Sequence, residues 1–169
     1  MSGKVKCCSV KKITTFVRKN YNTIEAVLFI AYCVFVVYFT LLSREPAHIQ
    51  KVEFTLMWAY RKMLAGERRW WYYVAQNNAN ILFFVPFGFL FPGNFKKKSG
   101  KFLSRISWLI ILSAGVLFSM FIELSQFITC RGLCELDDLI CNGLGSLIGY
   151  RVFVAVKKHR DKKNKEPSA

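Results

Sequence analysis

An all-α membrane bundle of about four transmembrane helices is the fold this sequence predicts, with both termini cytoplasmic and an interfacial helix in the first outer loop. Three observations carry the prediction. Apolar residues make up 53% of the 169 residues, and they fall in blocks near bilayer length rather than at core-like intervals. Lys and Arg sit in short runs between those blocks, as in loops that face the cytoplasm. Polar residues inside the later blocks recur at the spacing of a helix face. The formal charge of +15 would suit a nucleic-acid binder. Basic runs interleaved with near-membrane-length apolar stretches exclude that class, so no nucleic-acid partner is expected.

The elements follow in order. Residues 1–23 form a basic cytoplasmic segment, and Ile24–Leu42 is the first span, with Glu25 as its single charge. At 1.5 Å per residue this stretch covers roughly 28 Å, against a bilayer core of about 30 Å. Small residues at cleavage spacing do not follow in LLSREPA, so an uncleaved anchor is expected rather than a signal peptide. The second span, about 70–92, opens on Trp70, Trp71, Tyr72 and Tyr73, an interfacial aromatic belt. Pro86 and Gly88 within it are tolerable in a membrane helix. The third span runs over about 106–130 and the fourth over about 135–156, completing a membrane domain over 24–156. Residues 157–169 read as a solvated, disordered basic tail.

Orientation comes from the charges. The N-terminal segment, the loop holding Lys96, Lys97, Lys98, Lys101 and Arg105, and the tail are basic, whereas the turn between spans three and four sets Arg131 beside Glu135, Asp137 and Asp138. That pattern puts both termini inside and the acidic turn outside. In the first outer loop, Val52, Leu56, Ala59, Tyr60, Met63 and Leu64 recur at helical spacing, which suits an amphipathic helix on the outer interface or an ordinary packed one.

The polar residues form two stripes. Gly115, Ser119, Glu123, Gln126 and Cys130 lie on one face of span three, and Asp138, Asn142, Gly145 and Gly149 on one face of span four. The stripes are expected to face each other across a hairpin closed by residues 131–134, with Gly145 and Gly149 permitting close helix packing. Helix rise places Glu123, Asn142 and Asn80 each roughly 10 Å below the outer surface, with Gln126 and Asp138 nearer to it. Arg44 closes span one at the same level. An intramembrane carboxylate costs about 2.5–3.5 kcal/mol at a helix centre, so Glu123 is expected to face the bundle, protonated or paired with Arg131 or Arg44. The alternative for the whole cluster is interhelical hydrogen-bonding without further function.

These residues resemble the VanZ-like membrane proteins. The resemblance lies in Asn80-x-x-Phe83-x-x-Pro86-x-Gly88-Phe89, in Glu123-x-x-Gln126 with Arg131, in Asp138-x-x-x-Asn142-x-x-Gly145-x-x-x-Gly149-Tyr150, and in Arg44 after the first span. It implies a four-helix domain of a bacterial plasma membrane. For the founding member of the family it implies low-level resistance to teicoplanin. The expected partners are membrane lipids and, at an outer polar pocket, a lipid-linked cell-wall precursor or a glycopeptide.

The residue inventory limits the chemistry. His48 in the outer loop and His159 in the tail are the two histidines, so a histidine-based lipid phosphatase, an intramembrane Ser–His protease at Ser146 and a two-His metal site are excluded. No cofactor is expected. A rival reading is a membrane enzyme acting on a lipid-linked phosphate, with Glu123, Asp137 and Asp138 holding Mg²⁺. Another is a scaffold whose basic tail and loop recruit anionic lipid. Glu135, Asp137 and Asp138 also suit the positive end of span four without any functional role. Cys130 and Cys134 bracket the outer turn, either as a disulfide or as free thiols.

Overall fold

The computed structural model describes residues 20–42, 45–46, 51–95 and 107–163. The N-terminal basic segment up to residue 19, Arg44, His48, the basic loop after span two and residues 164–169 lie outside the described residues.

Helix α1 (Tyr21–Val37) runs into a π-helical turn, Tyr38–Leu42. A short strand β1 (Lys51–Glu53) and helix α2 (Trp58–Leu64) precede α3 (Trp70–Phe95) and α4 (Ser107–Thr129). Strand β2 (Leu133–Glu135) leads directly into α5 (Leu136–Lys163). Four of the helices are long and apolar enough to cross a membrane, over Thr23–Leu42, Trp70–Gly93, Ser107–Thr129 and Leu136–Lys163. Pro86 and Pro92 both sit inside α3 without ending it.

Two local expectations change. The helix in the first loop exists but starts only at Trp58, and Val52 lies instead in β1, paired in parallel with β2 in the register Val52↔Cys134 and Glu53↔Glu135. A three-residue strand has too short a pattern to declare itself, and its partner lies about eighty residues away in sequence. The tail is not irregular from Val156: α5 continues to Lys163. Its 28 residues extend roughly 42 Å, past the apolar part of the helix. Nothing in residues 157–163 breaks a helix, and Arg160, Lys162 and Lys163 favour its negative C-terminal end.

The core is aromatic. Val36, Phe84, Phe87 and Ile122 are buried where α1, α3 and α4 meet, with Phe29, Phe91 and Phe118 packed against them. Phe87 stacks on Phe118 with centroids 5.4 Å apart and meets Phe29 at the same separation. Such pairs contribute about 0.5–1.5 kcal/mol beyond area burial. Helix–helix association in lipid depends on this kind of contact.

The closest backbone approach is between α3 and α5. A Cβ on Gly145 would run into the Ile81 carbonyl, and one on Gly149, a turn further on, into the Val85 carbonyl, also a turn further on. The two helices therefore run in the same direction. The glycines on the stripe of span four thus receive α3 rather than α4. Helix α4 meets α5 through Gly115, where a Cβ would strike the Ser146 side chain. Val27, Val34, Leu117, Leu124 and Ile128 are among the large apolar side chains left exposed, as lipid-facing residues are.

Candidate functional site

The end of the bundle where α3 and α5 begin and α1 and α4 finish is built from polar side chains. Helix α1 reaches it as a π-turn, and a helix end leaves carbonyls without intrahelical donors. Gln126 and Arg131 supply those donors. Gln126 Nε2 donates to the Thr40 carbonyl at 3.1 Å, and Arg131 Nη1 to the Leu41 and Leu42 carbonyls at 3.4 and 3.3 Å. The Arg131 cation also suits the negative end of that helix.

Glu123 points from α4 toward the chain entering α5. Its Oε2 accepts the backbone N–H of Glu135 at 3.0 Å, and its carboxyl is within hydrogen-bonding reach of Asp138. One turn deeper on both helices, Asn142 Nδ2 donates to Ser119 Oγ at 2.7 Å, and Ser146 Oγ donates to the Asn142 carbonyl at 2.9 Å. Ser119 and Ser146 are fully buried, and Glu123, Gln126, Asp138 and Asn142 nearly so. The expected face-to-face arrangement of the two stripes thus holds for Ser119, Glu123, Asp138 and Asn142. Asn80 on α3 contributes a buried Nδ2 without a hydrogen-bond partner, as do the Gln126 and Asn142 side-chain oxygens. Cys130 and Cys134 are free thiols.

Sequence reasoning set a helix of the first loop over this end of the bundle but missed the bonds that fasten it to the cluster. Met57, with φ of 55°, donates its N–H to Asp137 Oδ1 at 2.6 Å. Trp58 Nε1 donates to Glu135 Oε2 at 2.8 Å, and Gln76 Nε2 to the other oxygen of that carboxylate at 3.3 Å. Trp58 also packs on Tyr73, centroids 4.6 Å apart, which ties the short helix α2 to α3. Glu135, which the sequence places at a helix end, is only 2% exposed. Burial and then the Asp138 charge push its carboxyl up to about 7, against the opposing effect of the Trp58 and Gln76 bonds. Asn77 is buried while its neighbour Asn78 faces outward, a distinction the NN pair does not disclose. The available signal was the acidic triplet Glu135, Asp137 and Asp138, too many carboxylates to need for one helix end.

Chemically, the site is rich in hydrogen-bond acceptors. Glu123, Glu135, Asp137 and Asp138 are all buried in one corner, joined by the free oxygens of Gln126 and Asn142. Among the described residues, no group of three or more His, Cys, Asp or Glu side chains is arranged to hold a metal ion. His159 is exposed near the far end of α5.

Comparison with known proteins places this architecture. A sequence model of the VanZ/LLP1 family matches residues 29–157. The chain is similar to Protein VanZ of Enterococcus faecium, with 31% identity over 84 residues, covering 50% of this chain and 47% of that protein. It therefore spans about half the length of the curated relative it matches. No solved structure matches the chain. The family match takes in all or part of each of the four spans and every residue of the polar cluster, and on that evidence this multi-pass membrane protein belongs to the VanZ/LLP1 family.

Proposed function

We propose that this protein confers low-level resistance to teicoplanin-type glycopeptides, or otherwise modulates the cell envelope, through the polar cluster that Asn80, Glu123, Gln126, Asp138 and Asn142 form. The observation that carries the reading is the burial of Glu123, Gln126, Asp138 and Asn142 on two apolar helices at one end of the bundle, with Gln76 of a third bonded to Glu135 beside them. Polar groups held inside a membrane domain are costly, so a set with partners still unfilled is best explained by a ligand. The basic runs at 96–105 and 157–163 support placing the opposite end in the cytoplasm. The cluster then lies at the outer leaflet of the bacterial plasma membrane. There it would meet an acylated glycopeptide, a lipid-linked cell-wall precursor or a partner that handles one.

A carboxylate-held metal enzyme is the weaker reading, because of its three ligands Asp137 turns one oxygen to the Met57 N–H and Glu123 one to the Glu135 N–H. The test is the minimum inhibitory concentration of teicoplanin and of vancomycin in a sensitive Gram-positive host. The expected result is a rise for teicoplanin alone, lost in Glu123→Ala at matched membrane abundance. No rise with the wild-type chain would refute the resistance reading.

A further inference from the structure

We infer that the ligand of this cluster is a primary ammonium group, recognised through its N–H donors. The inference rests on the reading of the cluster as a binding site and names what that site takes.

Gln126 is 2% exposed. Its Nε2 donates to a backbone carbonyl, Thr40, which can only accept. That fixes which end of the amide is nitrogen. The remaining Oε1 is a buried acceptor with no hydrogen-bond partner. Asn142, 5% exposed, has one end of its amide bonded to the Ser119 hydroxyl, through Nδ2, and the other, Oδ1, without a hydrogen-bond partner. Ser119 lies one helical turn deeper than Glu123, and Asn142 one turn deeper than Asp138. The Asn142 oxygen thus lies about one turn below the carboxyl groups. Asp137 Oδ2 is a third buried acceptor with no hydrogen-bond partner. Asn80 Nδ2 is a buried donor also without a partner, so in this corner unfilled acceptors outnumber unfilled donors.

Charge narrows the ligand. Glu123, Glu135, Asp137 and Asp138 sit together in this corner, and Arg131 directs its Nη1 to the carbonyls ending the first span. A phosphate or pyrophosphate would be set against carboxylates, whereas a cation is attracted to them. Geometry separates an organic cation from a metal ion. A metal draws its oxygen ligands to about 2.0–2.6 Å around one point, and among the described residues no three His, Cys, Asp or Glu side chains are arranged in that way. An ammonium carries three N–H donors that fan outward to acceptors at about 2.8 Å, which suits oxygens contributed by two facing helices. Access requires the cover to lift, breaking the Met57–Asp137 and Trp58–Glu135 bonds.

An aminolipid headgroup and a soluble amine share this chemistry. The full chain is therefore placed in nanodiscs of phosphatidylglycerol mixed with phosphatidylethanolamine, its mono- and dimethyl derivatives or phosphatidylcholine. Ethanolamine is added to the phosphatidylcholine discs as the soluble arm. Ligand binding raises the melting temperature. The expected result is a rise of several degrees with phosphatidylethanolamine that falls stepwise as each N–H is replaced by methyl. It should be absent in Gln126→Met, which keeps the bulk and removes the acceptor. A rise in the ethanolamine arm alone assigns the site to a soluble amine.

Equal melting temperatures across the lipid series and with ethanolamine overturn the inference, as does a rise that Gln126→Met retains. A rise produced equally by NaCl or MgCl₂ also overturns it, in favour of an inorganic cation. Should Gln126→Met not fold, the methylation series on the wild-type chain decides alone. Because the readout is thermal, its failure is distinct from failure of the resistance reading, which the inhibitory concentrations decide.

Discussion

The Glu123 carboxylate on α4 accepts the backbone N–H of Glu135, at 3.0 Å, just where the chain enters α5. One side chain therefore joins the two helices that carry the polar stripes and holds the turn between them. Removing it leaves a buried N–H without a partner, which costs about 1–3 kcal/mol. Glu123→Ala should lower the melting temperature of the purified protein. Glu123→Gln, which still offers an oxygen, should lower it less. Equal losses in the two variants would show that the Glu135 bond is not what Glu123 contributes to stability.

Gly149 and Gly145 make a second prediction, because a methyl on either meets backbone rather than a flexible side chain. Gly149→Ala and Gly145→Ala should each destabilise by about 1–3 kcal/mol, the range for overpacking. Gly143→Ala is the control: its Cβ meets only the Leu112 and Val116 side chains, at 3.2 Å, which can yield. Thermal melts in one detergent should rank Gly143→Ala well above the other two.

The cover over the cluster should respond to Trp58. Trp58→Phe keeps a ring beside Tyr73 but deletes the indole N–H that Glu135 accepts. Loss of one hydrogen bond to a charged or partly charged carboxyl is worth about 1.5–3 kcal/mol. Limited proteolysis should then cut faster after Arg61, Arg68 or Arg69, while the spans stay protected.

Stability should also depend on pH through Glu135. Its carboxyl titrates near 7 in the folded protein, above its ordinary value, because burial and the Asp138 charge disfavour ionisation. A group raised on folding binds its proton more tightly in the native state, so its contribution is complete at low pH. It is lost as pH rises from the ordinary carboxylate range through about 7. The melting temperature should fall between pH 5 and pH 8, by an amount on the order of 1–3 kcal/mol in stability. Glu135→Gln should flatten that slope, and an unchanged slope would remove Glu135 as its source.

The four spans were legible because each apolar block is near bilayer length and flanked by charge or aromatic residues. The facing of Glu123 and Ser119 toward Asp138 and Asn142 was legible too, since helical period fixes which residues share a stripe. What stayed hidden depends on contacts far apart in sequence. The pairing of β1 with β2 joins Val52 to Cys134, and no local pattern encodes it. The bonds from Met57 and Trp58 to Asp137 and Glu135 bridge 80 and 77 residues. The glycines of α5 announced a close approach, expected toward α4 but made by α3 at Ile81 and Val85. The π-turn at Tyr38–Leu42 left no composition signal, although it exposes the Thr40 carbonyl to Gln126.

On the proposed reading, the polar cluster carries the effect on glycopeptide action. The most direct test compares teicoplanin inhibitory concentrations for the wild-type chain, Glu123→Ala and Leu117→Ala at matched membrane abundance. Leu117 lies on the same helix but is 65% exposed, on the face left for lipid. Leu117→Ala should keep the wild-type resistance and Glu123→Ala should lose it. Full resistance in Glu123→Ala, or equal loss in both variants, would contradict that reading.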